Sequence, residues 1–290
     1  MSNYVILTDS CCDLSQEMAE QLGLKVVPLT VTSPKGDFRN YLDHREVSPE
    51  TFYGYLRAGD MCKTSAVNTE QWIEAMEEVI ADGKDVLCLA FSSGLSSTYS
   101  SAAIAAQEMN GKYPERKAYA VDTLCASMGQ GLIVYLAGKK QQEGLSIDEV
   151  RDWVENNKMS VAHWFTVDDL MHLKRGGRVS AATAVVGTML KIKPVLHVDD
   201  EGHLISMEKA RGRKAALNML VDKMAETAIN PAEQEVFISH GDSLADAEYV
   251  AAKIRERFGV KNVYINYIGP VIGAHSGPGT IEVFWLATQR

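Results

Sequence analysis

Apolar positions fall in short blocks along this chain, and the polar residues that bracket each block set its type. Tyr4-Val-Ile-Leu-Thr8 is a compact apolar run that ends at Asp9-Ser10, the pattern of a buried strand entering a loop. Leu14 to Leu22 has helical spacing and stops at Gly23. Lys25-Val-Val-Pro-Leu-Thr-Val-Thr32 is rich in β-branched residues and predicts a strand. Ser48-Pro49-Glu50 opens a helix, since serine caps free amides and proline at the first helical position loses no hydrogen bond. Another helix is expected over Gln71 to Ile80. Asp85-Val-Leu-Cys-Leu-Ala-Phe91 has no polar face, as in a parallel sheet covered on both sides. It breaks into Ser92-Ser93-Gly94-Leu95-Ser96-Ser97 before an Ala-rich helix from Thr98 to Met109. Ala118 to Asp122 repeats the strand-then-Asp pattern, Met128 to Gln142 is helical, and Ser146-Ile-Asp-Glu149 is a capping box.

Strands alternating with helices predict an α/β fold for residues 1–158, a three-layer domain with a mainly parallel sheet. Residues 159–290 read differently. A strand over Val161 to Val167 precedes two short helices around the turn Arg175-Gly-Gly-Arg178. Val195 to Val198 and His203 to Met207 then flank Asp199-Asp-Glu-Gly202, a hairpin signal that requires antiparallel pairing. A helix over Lys214 to Ala228, a strand over Val236 to Ser239, another helix and a strand over Val263 to Ile268 complete an α+β domain with a mixed sheet.

The chain has 290 residues, 46% of them hydrophobic and 23% charged, which is enough apolar material for a full core. Its formal charge is -9, from 29 basic and 38 acidic residues, and this argues against nucleic acid or an anionic membrane as the main partner. The first residues lack the basic start and long apolar stretch of a signal peptide. The longest region without strong polarity, Ala181 to Leu190, is about half a membrane span. A cytoplasmic protein is therefore expected. Five cysteines, at 11, 12, 62, 88 and 125, have no CxxC spacing and read as small packing residues, with Cys11 and Cys12 placed to touch a ligand.

Four segments stand where α/β proteins build sites, at the ends of expected strands. They are Thr8-Asp9-Ser10, Lys63-Thr64-Ser65, the serine loop and Gly273-Ala-His275-Ser-Gly-Pro-Gly279. The serine loop offers hydroxyls and free amides to an anion, and equally to simple helix capping by Ser96 or Ser97. A hydrolase elbow, GxSxG, would need glycine at Thr98. His275 sits among glycines that let backbone approach a ligand closely. Lys209-Ala-Arg211-Gly-Arg213-Lys214 is a basic cluster at a helix start, where it opposes the macrodipole.

In their order along the whole chain these motifs resemble the DegV family. The marks are Thr8-Asp9-Ser10, Lys63-Thr64-Ser65, Ser92-Ser-Gly-Leu-Ser96 with Thr98-Tyr99, Asp122 with Gly129-Gln-Gly131, Arg175-Gly-Gly-Arg178-Val-Ser180, Lys191-Ile-Lys-Pro194 and His275-Ser-Gly-Pro-Gly279. The resemblance implies a two-domain α/β protein without catalysis of its own, enclosing a long-chain fatty acid between its domains. It assigns the carboxylate to Thr64, Ser96 and His275, with Ser65, Ser93, Gly94 and Arg178 around that polar end. It places Arg211 on a surface that meets an ATP-dependent fatty acid kinase subunit. No cofactor or metal is implied. Cys12 and Cys125 stand where Ser or Thr is expected, and Ser97 where glycine is usual; these bear on chain preference and loop geometry. Val185, Met189 and Val271 are expected around the tail. The alternative is an acyl or small-substrate hydrolase using Ser96 as nucleophile and His275 as base, oriented by Asp9 or Asp122.

Overall fold

The computed structural model describes residues 3–180 and 192–290. The first half contributes β1 (Tyr4–Asp9), β2 (Lys25–Val27), β3 (Thr30–Ser33), β4 (Gly36–Arg39), β5 (Lys63–Ser65), β6 (Asp85–Ala90) and β7 (Ala118–Asp122). The second contributes β8 (Val161–Thr166), β9 (Ile192–Val198), β10 (Leu204–Arg211), β11 (Val236–His240), β12 (Val263–Tyr267) and β13 (Ile281–Leu286).

Strands β2-β1-β6-β7 form one sheet in which every pairing is parallel. The two-residue period of a strand divides its side chains between two cores. Leu7, Val86, Cys88 and Ala90 pack with the helices Thr69–Ala81 and Thr98–Lys112. Ile6, Leu87 and Leu89 turn the other way, onto the helices Met128–Gln142 and Ile147–Asn157. Covered on both faces, the sheet has no use for polar positions, which is why its strands read as continuous apolar runs.

The strand expected over Lys25 to Thr32 is two strands. Pro28 has no N–H to give a ladder and breaks the run. β2 stays on β1, while β3 leaves to pair antiparallel with β4 and β5 in a separate three-stranded sheet. Local signals elsewhere act as the sequence suggests. Ser48 Oγ accepts from Thr51 N with Pro49 in the first turn, and Ser146 and Glu149 cap each other reciprocally.

The second sheet is mixed, in the order β10-β9-β8-β13-β11-β12, antiparallel throughout except for the parallel pair β11 and β12. Asp199 Oδ1 closes the β9–β10 turn by accepting from Glu201 N and His203 N. One face, with Ile281, Val283 and Trp285, lies under the helices Arg213–Thr227 and Leu244–Phe258. The opposite face, through Phe237 and Phe284, rests on the helix Met128–Gln142. That helix is buried on almost every side because it is wedged between the two sheets.

The basic cluster requires a correction. β10 runs through Arg211, Gly212 turns the chain at φ 93°, and the helix starts only at Arg213. Arg211 is therefore an exposed residue of an edge strand. Arg213 is engaged by Asp246 at 2.8 Å and Asp168 at 3.5 Å. Near Arg175 one short helix, Met171–Arg175, is present. The helix expected after Arg178, the apolar stretch Ala181 to Leu190, Lys191, and the tail candidates Val185 and Met189 lie outside the described residues. Among the described residues no helix is long and apolar enough to cross a membrane. All five cysteines are free thiols, four of them buried.

Candidate functional site

A cavity of 240 Å³ lies between the two halves. The first half lines it with Cys11, Leu29, Thr64, Phe91, Leu95, Ser96 and Ser97, and the second with Phe165, Leu173, Arg178, Leu204, Val271, His275, Ser276 and Glu282. Lys63-Thr64-Ser65 is β5 itself, and strand alternation turns Thr64 inward while Lys63 and Ser65 are exposed. His275 lies in the last turn of the helix Pro270–Ser276, which begins with a proline that fixes its first turn.

Those two elements bring Thr64 and His275 together. Thr64 Oγ1 and His275 Nε2 are 2.8 Å apart, a hydrogen bond between residues 211 positions apart. The other edge of the imidazole lies against Gly176, where an added Cβ would stand 2.2 Å from Nδ1. Glycine is needed there so that the turn after Met171–Arg175 can close on the ring. Burial pushes the His275 pKa down to about 4, and the positive charge of Arg178 acts in the same direction. The ring is neutral near pH 7, able to donate one hydrogen bond without carrying charge.

Ser96 is held differently. Its Oγ lies 2.9 Å from Thr98 Oγ1 and accepts from Thr98 N at 3.2 Å, so it braces the helix start while facing the cavity. Ser97 occupies the cap position and makes no side-chain cap bond. Arg178 donates from Nε to Leu95 O at 3.2 Å and also to Gly176 O, joining the serine loop to the second half. Burial lowers its pKa. Three expected members of the polar surroundings are not brought to the cavity. Ser65 and Ser93 are exposed, and Ser93 N donates to Asp122 Oδ1. Gly94 packs on the β9–β10 turn, where a Cβ would meet Glu201 O at 2.7 Å.

A second, more open basin of 400 Å³ lies outside the first. Thr64, Arg178 and His275 line both, so they form the threshold between an inner chamber and an outer basin bordered by Lys63, His172 and Arg175. The carboxylates considered as partners for His275 are committed elsewhere. Asp9 accepts from Cys11 N, Phe91 N and Gln130 Nε2, and Asp122 from Ser93 N and Leu124 N. The hydroxyl that meets His275 is that of Thr64, while Ser96 bonds Thr98.

A family model described as "Uncharacterised protein, DegV family" matches residues 3–288. The chain belongs to the DegV family. A DegV domain-containing protein of Clostridium perfringens is 46% identical over 290 residues, covering 100% of this chain and 99% of its own. Two solved DegV structures have the same fold. A DegV lipid-binding protein of Thermotoga maritima matches with TM-score 0.85 and 29% identity, over 99% of each chain. A DegV family protein of Thermus thermophilus, solved for its fatty acid binding, matches with TM-score 0.84 and 30% identity, over 98% of this chain and 99% of its own.

Within this DegV chain the sequence left several cavity residues unmarked. Leu29, Phe165, Leu173 and Leu204 read as ordinary core positions, and only the tertiary fold distinguishes a leucine lining a chamber from one filling a core. Glu282 carried a signal that passed unused: it interrupts the apolar strand Ile281–Leu286 with a charge, and it is buried. Gln130 did likewise in the helix Met128–Gln142, where its amide donates to Thr8 Oγ1 and Asp9 Oδ2.

Proposed function

We propose that this DegV-family protein binds a long-chain fatty acid, its carboxylate at Thr64, Ser96 and His275 and its tail in the inner chamber. The observation that carries the reading is the Thr64–His275 pair, 2.8 Å apart where the chamber meets the outer basin. A buried carboxylate needs two or three convergent donors, and two hydroxyls with a neutral imidazole supply them. A C16 to C18 tail then contributes about 0.8 kcal/mol for each buried methylene. Arg178 sits beside this polar end and adds positive charge. The fatty acid binding of the Thermus thermophilus relative supports the same ligand class here.

The head group would lie where the outer basin reaches it while the tail stays inside. That arrangement suits phosphorylation by a separate ATP-dependent kinase subunit, with this chain presenting the lipid rather than turning it over. Arg211 suits the partner surface. It lies on the open edge strand β10 beside exposed Lys209 and Met207, away from the threshold. A hydrolase is less well supported, because its nucleophile and base would have to meet, and Ser96 bonds Thr98 instead. We place the domain boundary at 158/159, between the helix that ends at Asn157 and β8, and the protein in the cytoplasm.

Mass spectrometry of lipid released from freshly purified protein should find a long-chain fatty acid. Delipidated protein should bind palmitic acid much more tightly than hexadecanol, which brings no charge for these donors. Equal affinities would remove the carboxylate site. Arg211→Ala should leave palmitate affinity unchanged and weaken productive use by the kinase in a salt-dependent way.

A further inference from the structure

Behind the chamber a row of polar side chains crosses from one half of the molecule to the other. Asp13 Oδ2 and Ser127 Oγ are 2.6 Å apart, Ser127 Oγ and Ser239 Oγ 2.9 Å, and Ser239 Oγ and Glu282 Oε2 3.0 Å. All four residues are buried, and Glu282 lines the chamber itself. Asp13 is tied to the second half again by Gly269 N at 3.0 Å, and its carbonyl accepts from Asn266 Nδ2 at 2.9 Å. Asp13 and Ser127 are held at φ 51° and 52°, a backbone region that a non-glycine residue keeps only when its surroundings impose it. Ser127 stands at a helix start yet makes no cap bond, so its hydroxyl is given to the row.

Counting hydrogens constrains the charge state of this row. Three contacts at hydrogen-bond distance need three hydrogens, and the two serine hydroxyls supply two. The third must be an acid proton, on Asp13 or on Glu282. If both carboxyls were ionised, one contact would set two oxygens face to face with nothing between them. Among the described residues no cation is placed to relieve that. Asp9 and the Tyr53 phenol lie on the first-half side. On β8, His163 is neutral, its Nε2 accepting from Ala126 N. On β11, His240 is stacked on Tyr267. Arg178 and His275 stand at the threshold, engaged as described.

We propose that Asp13, Ser127, Ser239 and Glu282 form a relay holding one shared acid proton across the two halves, and that Glu282 makes the chamber wall a proton-dependent determinant of acyl binding. With the proton on Glu282 the wall is neutral there and accepts a plain hydrocarbon chain, the remaining negative charge lying on Asp13, which does not line the chamber. Without it, two carboxylates share the row, and a chain seated against Glu282 strips water from its charge. Loading therefore draws in a proton. Burial places Glu282 near the working range, its pKa pushed up to about 7. The loading half of the proposal rests on the fatty acid reading above; the relay itself does not.

Infrared spectra of the ligand-free protein test the relay. A buried protonated-carboxyl band should be present at pH 6, and Asp13→Asn and Glu282→Gln should each change its frequency and the pH at which it disappears, because burial favours the protonated form of both acids and they share one row. A band whose frequency and pH midpoint are the same in wild type and both variants would overturn the shared proton. Calorimetry with palmitate above pH 7, in two buffers of different ionisation enthalpy, tests the coupling. The wild type should take up close to one proton more than Glu282→Gln, and its affinity should fall by no more than about tenfold for each pH unit, which the variant should not show. Equal uptake in both proteins would overturn the role of Glu282. If palmitate binds neither protein, the fatty acid reading fails and the infrared result still decides the relay.

Discussion

At the scale of single residues, the proposed head-group site rests on Thr64, Ser96 and His275, of which Thr64 and His275 already bond each other. Removing one hydroxyl leaves a carboxylate partly unsatisfied, which typically costs about 1–3 kcal/mol, or roughly five- to more than a hundred-fold in affinity. Thr64→Ala and Ser96→Ala should each show such a loss in fatty acid titrations. The two should not add, since both act on one ligand group. Thr64→Ala combined with His275→Ala should deviate further, because Thr64 and His275 bond each other before any ligand arrives. Full additivity in all combinations would mean that these side chains do not share a ligand. This triad was legible only in part. The residue types and their small, glycine-rich neighbourhoods mark Ser96 and His275, but no spacing rule links Thr64 to a histidine 211 positions away. Ser65 and Ser93 share the composition of the site and miss the cavity, Ser65 because strand alternation turns it outward and Ser93 because its loop leaves it exposed.

At the scale of elements, the parts that were legible are those whose pattern is local. The parallel strands declare themselves as apolar runs, and the capped helices declare their starts. β5 and the helix Pro270–Ser276 are three and seven residues long, too short for periodicity to register, and both exist because neighbouring elements hold them. The helix Met128–Gln142 shows how close the packing is. An added Cβ at Gly131 would stand 2.5 Å from Cys12 O, a backbone atom that cannot swing aside. Gly131→Ala should therefore destabilise the protein by about 1–3 kcal/mol despite the better helix propensity of alanine. Gly111 lies in the helix Thr98–Lys112 with nothing within 4 Å of its would-be Cβ. Gly111→Ala should raise stability by about 0.5–1 kcal/mol. Thermal melts of the two variants should move in opposite directions; a shared direction would show that propensity, not contact, governs both sites.

At the scale of the whole molecule, the cavity joins a buried carboxyl and a half-buried imidazole, and their effects on stability oppose each other. Glu282 has its pKa raised from 4.5 to about 7 in the folded protein, chiefly by burial. Between those values the folded state keeps a proton that the unfolded chain has released, so this group's contribution is lost as pH rises through that window. His275 has its pKa lowered from 6.5 to about 4, again chiefly by burial. There the unfolded chain holds the extra proton, so the histidine's contribution is lost as pH falls from 6.5 toward 4. Each shift corresponds to about 3 kcal/mol over its full window. From pH 4.5 to 6.5 the two slopes run against each other and largely cancel in the wild type. Glu282→Gln removes the falling slope, so its melting temperature, relative to wild type, should climb with pH across that interval. His275→Gln removes the rising slope, and its melting temperature relative to wild type should decline over the same interval. Well above pH 7 all three curves should run parallel, since neither group then differs in protonation between its states. Melting curves of ligand-free protein at half-unit pH steps read this directly. Variant-minus-wild-type differences that stay flat from pH 4.5 to 7 would mean that neither group is held away from solvent in the folded protein.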